Sequence, residues 1–233
     1  MIRPPRAATL GLAMLLTGLA SVAQAEPRPP YPFTAEYRLK AGGWPQATIE
    51  QRLERQSDGE WSSLMTASAS IASGREYGQF HLDEDGDRLI ADDFQSRYRL
   101  FGFGKDYRFD PERSKGLPDR QTALIEIGRR LDDPQCQGER TPPCRVDYLD
   151  HRQRTRSLEY RVVATPTIDT ALGRWPTVQV EARDPHHPDR RFDFYVDPRY
   201  PGLMVKVDYY KSDALDSQLW LTAFTPAAID APR

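Results

Sequence analysis

REYGQFHLDEDGDRLIADDFQSRYRL, residues 75–100, contains two runs of alternating apolar and polar residues separated by the pair Asp85-Gly86. Alternation with period two is typical of a strand with one buried face, and an Asp-Gly pair between two such runs favours a tight hairpin turn. A calcium loop is the alternative for this aspartate-rich turn. It would need glycine at its sixth position and glutamate at its twelfth, whereas glycine stands fourth here and the twelfth residue is Phe94. We therefore predict a β-hairpin.

The same period extends in both directions from this hairpin. Alternating segments occupy 33–39, 47–56, 60–72, 105–110, 145–150, 156–165, 177–184, 190–197, 203–210 and 217–224. Turn chemistry rich in Pro, Gly and Asp separates the later ones, at 165–167, 172–176, 184–189 and 197–202. Many short strands at regular spacing predict an all-β, mainly antiparallel fold, in which a meandering sheet forms an open or incompletely closed barrel.

One segment departs from this period. DRQTALIEIGRRLD, residues 119–132, has helical spacing, and Asp119 is a suitable N-cap after a proline. Gly128 weakens the helix by about 1 kcal/mol relative to alanine. We expect this helix to cover the open side of the barrel. The apolar residues on its one face are Ala123, Leu124, Ile127 and Leu131.

The N-terminus has the pattern of a secretory leader. Two arginines precede an apolar run at 7–22, and Ala23-Gln24-Ala25 follows, which predicts a signal peptide over 1–25 that is cleaved after Ala25. An uncleaved anchor is the alternative. We expect a Pro-rich lead-in over 26–32, a single β-rich domain over 33–225 and a C-terminal tail over 226–233. The mature chain should then be periplasmic and not membrane-spanning, since it has no further long apolar run.

The net charge of the chain also limits the classes of partner that it can bind. Removing the leader leaves 30 basic and 34 acidic residues, a formal net charge of −4, because the leader holds two arginines and no acid. Dispersed, mildly acidic charge argues against nucleic-acid binding, which requires a basic face.

The chain has two cysteines, Cys136 and Cys144. An even number in an exported protein predicts a disulfide, and closing a nine-residue loop would contribute about 2–3 kcal/mol in the chain-entropy model. A metal site is the alternative, but two cysteines at this spacing with no second pair are a weak ligand set. His186 and His187 lie on a turn where adjacent side chains diverge. We predict no metal and no cofactor.

No catalytic motif of the kinds that identify hydrolases or nucleotide-binding enzymes occurs in the sequence. The glycine-flanked run LFGFG at 100–104 is more informative. Its phenylalanines either fill the core or form an apolar lip where an acyl chain enters a half-barrel. The candidate ligand-binding residues are Phe101, Phe103, Leu64, Met65, Ile71, Tyr77, Leu124 and Ile127.

Four segments resemble one bacterial exported family. FTAEYRLKAGG (33–43), TALGRWPTVQVEARD (170–184), RRFDFYVDPRYPGLMVKVDYY (190–210) and LWLTAF (219–224) are similar to the family called domain of unknown function 3108. Trp44-Pro45 departs from that family's turn, and the segment between the cysteines is not general in it. The resemblance implies a periplasmic, β-rich protein with no established activity. It also implies, by analogy of fold alone, a likeness to half-barrel carriers of lipids or lipid-modified proteins.

Three functions follow from these observations. The first is a non-catalytic carrier or assembly factor for an apolar cell-envelope component, either a lipid or a lipid-modified partner. The alternative is a protein–protein docking module of the envelope without a small ligand. The third is a hydrolase, which would need two carboxylates or a Ser–His pair in one cleft. A carrier should keep an apolar cavity open, whereas a docking module should fill it.

Overall fold

The protein is described by a computed structural model, which covers residues 25–110, 114, 116–139 and 142–227. All of the predicted signal peptide except Ala25 lies outside the described residues, as does 228–233 of the predicted tail. Within those ranges, no helix is both long and apolar enough to cross a bilayer. The described elements are β1 (Phe33–Ala41), β2 (Ala47–Arg55), β3 (Trp61–Ser68), β4 (Ala72–Leu82), β5 (Leu89–Leu100), β6 (Phe103–Arg108), α1 (Arg120–Arg129), β7 (Cys144–Leu149), β8 (Thr155–Ala164), β9 (Thr167–Thr170), β10 (Gly173–Pro176), β11 (Val178–Asp184), β12 (His187–Val196), β13 (Met204–Lys211) and β14 (Ala214–Pro226).

Twelve of the described strands form one antiparallel sheet in the order β6-β5-β4-β3-β2-β1-β14-β13-β12-β11-β8-β7. Two meanders meet where the first strand pairs with the last, from Phe33 opposite Pro226 to Ala41 opposite Ser217. The outer strands β6 and β7 do not pair with each other, so the sheet curls without closing. The predicted all-β, incompletely closed barrel is therefore confirmed.

The alternation of the sequence gives this sheet one dry face. Phe33, Ala35 and Tyr37 are each 1% exposed, while the residues between them are exposed. Residues that are directly opposite each other on paired strands lie on the same side of the sheet. Phe33 is opposite Leu53, and Leu53 is opposite Ser63 on the next strand, so buried positions continue from one strand to the next. The concave face is thus continuous from strand to strand and faces the interior of the half-barrel.

Helix α1 lies in this concavity. Asp119 is its N-cap, as predicted, and accepts hydrogen bonds from the backbone N–H groups of Gln121 and Thr122 at 2.7 and 3.2 Å. Ser63 of β3 donates to the side chain of Gln121 at 2.6 Å, which fixes the helix N-terminus against the concave face. The helix ends at Arg129, three residues before the predicted end, although Leu131 is still buried.

The helix C-terminus is held by an arginine that is only 2% exposed. Arg129 donates from Nη2 to the carbonyl of Gly86 in the β4–β5 turn at 2.7 Å, and from Nε to the carbonyl of Arg28 at 2.8 Å. Its Nη1 pairs with Glu126 at 2.9 Å. A buried charge is tolerated only when it is paired and hydrogen-bonded, and both conditions hold here. This residue fastens the predicted Pro-rich lead-in and the hairpin turn to α1.

Gly128, which weakens the helix locally, has a packing role. A Cβ atom at this position would lie 2.8 Å from the nitrogen of Gly202 and 3.0 Å from Cα of Pro201. Gly202 has φ of +92°, and a Cβ there would lie 2.7 Å from Ile125 of the helix. The two glycines therefore allow α1 to approach the β12–β13 turn at backbone distance.

Several predicted element boundaries differ from those of the structure. Most of the segment predicted as a turn at 172–176 instead forms β10, which pairs with β9 in a small hairpin. Of the turn predicted at 165–167, only Thr167 belongs to a strand. Trp175 of β10 donates to Asp197 at 2.7 Å. The strand predicted over 60–72 ends at Ser68 and turns back, with reciprocal backbone bonds between Ala69 and Ala72. Neither hairpin has the Asn-Gly or Asp-Gly pair that makes such turns recognisable from sequence.

The predicted disulfide is present. Cys136 and Cys144 are bonded with their Cα atoms 5.2 Å apart, and the bond joins a short 3₁₀ turn (Pro134–Cys136) to the first residue of β7. The Asp133 carboxylate lies close to both sulfurs. Because both sulfurs are oxidised, they cannot act as the thiolates that a metal requires.

Candidate binding cleft

A cleft of about 320 Å³ opens on the concave face between the two meanders. We call it the apolar cleft. One wall comes from β1–β3, the opposite wall from β12–β14, and α1 lies at one end. The lining residues are Tyr37, Leu39, Gln51, Met65, Gln121, Leu124, Phe192, Phe194, Gly202, Met204, Val207, Tyr209, Ser217, Gln218 and Leu219.

The polar groups of the cleft floor are used internally. The Tyr37 hydroxyl donates to Oε1 of Gln51 at 2.6 Å, and Nε2 of Gln51 donates to the carbonyl of Gly202 at 3.3 Å. Burial raises the pKa of Tyr37 far above its usual value near 10, against a small opposing effect of the Met204 backbone. Tyr37 is therefore a neutral hydrogen-bond donor at physiological pH and cannot act as a base there.

Aromatic side chains form the wall on β12 and β13. Phe192 and Phe194 are two residues apart on one face and stack with ring centroids 5.6 Å apart. Phe192 also contacts Tyr209 at 4.7 Å. The residues lining the cleft include no carboxylate and no histidine. A bound molecule would therefore meet mainly hydrocarbon and aromatic surface.

A second depression of about 550 Å³ lies beside the apolar cleft, under the β5–β6 hairpin. We call it the hairpin groove. Small residues of β3 and β4 form its floor, where Ala67 faces Gly74. The two depressions adjoin, because Leu39 of the cleft is directly opposite Ala47 of the groove in the β1–β2 ladder. The lining residues of the groove are Trp44, Ala47, Ala67, Ser68, Ala69, Ala72, Ser73, Gly74, Tyr98, Arg99, Leu100, Phe103, Gly104, Lys105, Tyr107 and Arg152.

Three rings bridge the opening between the unpaired edges of the sheet. Tyr98 of β5 and Tyr107 of β6 contact His151 in the β7–β8 turn, with centroids 5.4 and 4.9 Å apart. Burial, followed by the charge of Arg120, lowers the pKa of His151 below its usual value. The bridge is therefore built around a neutral imidazole.

The β7–β8 turn that carries His151 is rigidly tied. Burial alone would raise the pKa of Asp150, but hydrogen bonds from the side chain and backbone of Arg154 and the backbone of Arg152 lower it to about 2. The carboxylate is thus ionised throughout the physiological range. Its Oδ2 accepts from Nε of Arg154 at 2.8 Å.

The structure divides the predicted ligand-binding residues among several places. Met65 and Leu124 line the apolar cleft, and Phe103 lines the hairpin groove. Phe101 lies at the tip of the β5–β6 hairpin, where its N–H donates to the carbonyl of Ile71 in the adjacent β3–β4 turn at 2.8 Å.

The other predicted residues do not line either depression. Leu64 and Tyr77 face each other on the outer side of the sheet, because they alternate with the inward-facing Met65 and Glu76. Ile127 belongs to α1 and is 1% exposed, because its side chain is buried in the hydrophobic core. The structure therefore does not bring the eight candidate residues together in one pocket. The alternative in which Phe101 and Phe103 fill the core is also excluded, since they are 67% and 83% exposed.

Sequence reasoning missed the wall contributed by β12–β14. The alternating phenylalanines of RRFDFYVD at 190–197 were recognised as a strand, and their period already placed them on a buried face. What the sequence did not reveal is that this face is opposite Met65, since that depends on the pairing of β1 with β14.

No family model matches the chain, and no curated protein matches it. Distant likenesses occur among solved structures. The complex of Pseudomonas aeruginosa MucA and MucB aligns at 14% identity with a TM-score of 0.40, over 86% of this chain and 53% of that one. A crystal structure of MucB aligns at 13% identity with a TM-score of 0.39, over 86% and 55%. MucB in complex with the MucA periplasmic region aligns at 14% and 0.36, over 85% and 51%.

The chain thus spans about half the length of the solved structures it matches. At these TM-scores the likeness assigns neither fold nor function. The resemblance to domain of unknown function 3108 stays a prediction.

Proposed function

We propose that the protein is an exported, non-catalytic carrier that holds an apolar chain, such as the acyl chain of a lipid, in the apolar cleft. The observation that carries the proposal is that this cleft is open. Protein interiors are packed to crystal-like density, so a cleft of this size lined by Phe192, Phe194 and Met204 leaves contacts unmade that a ligand could supply.

The size and chemistry of the cleft support this proposal. Ligand sites generally have volumes of about 300–1,000 Å³, apolar walls and a few polar groups that set orientation. The 320 Å³ of the apolar cleft meets the lower limit of that range, and the hairpin groove extends it. The disulfide and the predicted leader favour an oxidising envelope compartment.

Two neighbouring residues of β3 provide a matched test. Met65 points into the apolar cleft, and Leu64 points away from it on the same strand. Met65→Trp should fill the cleft, while Leu64→Trp adds an indole to the outside. The mature proteins are titrated with monomyristin, a neutral single-chain lipid, and the complexes are counted by native mass spectrometry.

We expect wild type and Leu64→Trp to bind monomyristin, and Met65→Trp to bind it at least about tenfold more weakly, which corresponds to about 1.4 kcal/mol. Equal binding by both variants would remove the apolar cleft as the site. No adduct on the wild type, whether purified gently from the periplasm or supplied with lipid, would refute the carrier.

The docking module remains the second candidate, and one observation favours it. Within the described ranges β6 is an edge strand whose outer side pairs with no other strand, and five of its six residues are exposed. Such an edge can accept a strand from a partner protein. Crosslinking from β6 in the periplasm, combined with a lipid-free wild type, would support this function instead.

A further inference from the structure

The charges of the hairpin groove differ from those of the rest of the protein. Arg99, Lys105 and Arg152 line it, and its lining residues include no carboxylate. The mature chain as a whole carries more acidic than basic residues. A groove lined by cations and by no carboxylate attracts anions locally, even on a protein that is acidic overall.

Two of these cations have no ion pair in the part of the chain that the structure describes. Arg99 is partly engaged, because its Nη1 lies 2.7 Å from Asp106. Lys105 and Arg152 have no such carboxylate partner, and both are exposed. Lys105 lies on β6 and Arg152 in the β7–β8 turn, so they approach the groove from the two sides of the open barrel.

The carboxylate of Asp150, two residues before Arg152, already has two other arginine partners. Asp150 in the same turn accepts from Nε of Arg154 at 2.8 Å and from Nε of Arg156 at 3.4 Å. Arg152 itself reaches Asp150 only through its backbone N–H, at 2.8 Å. The turn is therefore fixed without using the Arg152 guanidinium, which remains available to a ligand.

The groove and the apolar cleft are parts of one surface. Ala47 and Ala67 of the groove lie on the concave face next to Leu39 and Met65 of the cleft. Leu100 and Phe103 extend the apolar surface to the cations. A single molecule with a hydrocarbon chain and a charged end could therefore place its chain on the apolar surface and its charged end beside the cations.

We infer that the hairpin groove binds the phosphate headgroup of a single-chain anionic lipid whose acyl chain lies in the apolar cleft. This inference rests on the proposed carrier function and names its ligand class. Arginine and lysine form charge-assisted hydrogen bonds with phosphate oxygens, and arginine does so in a two-pronged geometry. Phe103 and Leu100 would contact the first carbons of the chain.

The test compares two lipids that share a chain. Monomyristin carries a neutral headgroup, and myristoyl lysophosphatidic acid carries a phosphate. The charge variant is Lys105→Gln with Arg152→Gln. The control is Lys40→Gln, which removes an exposed cation on the outer face of β1. Both replaced groove cations are exposed, so we expect the variants to fold, which far-ultraviolet circular dichroism checks.

In wild type and Lys40→Gln, the phosphate lipid should bind at least about tenfold more tightly than monomyristin, and added salt should reduce the difference. In the double variant this ratio should fall to near one, with monomyristin binding unchanged. A ratio that survives in the double variant would overturn the inference. If glycerol phosphate alone binds as tightly as the lipid, the groove is a site for free phosphate and the inference also fails.

The two proposals fail in distinguishable ways. Monomyristin that does not bind wild type refutes the carrier function. Monomyristin that binds, with no preference for the phosphate lipid, refutes only the headgroup site.

Discussion

Gly128 offers a test of how the helix is held in the half-barrel. Helix propensity alone predicts that Gly128→Ala stabilises α1 by about 1 kcal/mol. The added methyl group would lie 2.8 Å from the backbone nitrogen of Gly202, where ordinary contact begins near 3.4 Å. The helix and the β12–β13 turn would have to separate by about 0.6 Å, and overpacking of this kind costs about 1–3 kcal/mol. The net expectation is a loss of about 1 kcal/mol.

The assay is thermal and urea unfolding of residues 26–233, the chain without the predicted leader, monitored by circular dichroism. For a chain of this size, 1 kcal/mol corresponds to a decrease of about 2–4 °C in the midpoint. Gly74→Ala is the matched control, because its Cβ would meet only ordinary contacts, the nearest at 3.7 Å from Ala67. We expect no loss of stability in the control. A Gly128→Ala protein that is more stable than wild type would refute the close approach of helix and turn.

Three further outcomes are expected. Replacing Cys136 and Cys144 together by serine should lower the free energy of unfolding by about 2–3 kcal/mol, and reductant should then destabilise wild type but not the variant. Because the pKa of His151 is lowered in the folded state, the unfolded chain binds that proton more readily. His151 should therefore destabilise the fold as pH falls below about 6.5, with no such loss above it; a midpoint that falls as steeply in His151→Asn would contradict this. Tyr37→Phe should cost about 1–2 kcal/mol in urea unfolding, since Oε1 of Gln51 loses its donor; an unchanged midpoint would show that Gln51 finds another partner.

Much of the fold could be predicted because its signals are local. The alternation in 33–39 places Phe33, Ala35 and Tyr37 on one face whichever strands come next to it. The pair Asp85-Gly86 identifies its turn because few other residues adopt positive φ, and Gly86 has φ of +71°. Asp119 could be recognised as an N-cap because capping involves only its own next three residues.

The candidate site could be predicted only in part, because its members come from distant segments. Of the candidate residues, Met65 and Leu124 line the apolar cleft, and each lies on an apolar face of its own element. Leu64 and Tyr77, which are candidates on the same grounds, lie on the outer side of the sheet, because apolar character alone does not show which face of a strand is concave. The cations Lys105 and Arg152 carried no local signal, since exposed basic residues are ordinary on strands and turns.

The sequence by itself determined most of the strands, the described α-helix with its cap and the disulfide, because each depends on period, turn chemistry or compartment. Only the tertiary structure decided that β1 pairs with β14, that Gly128 meets Gly202, and that β12 lies across the cleft from β3. The physical reason is that a period of two fixes which side chains share a face of one strand. It leaves open which strands are neighbours and which faces oppose each other across a curved sheet, and these follow from pairing between residues far apart in the chain.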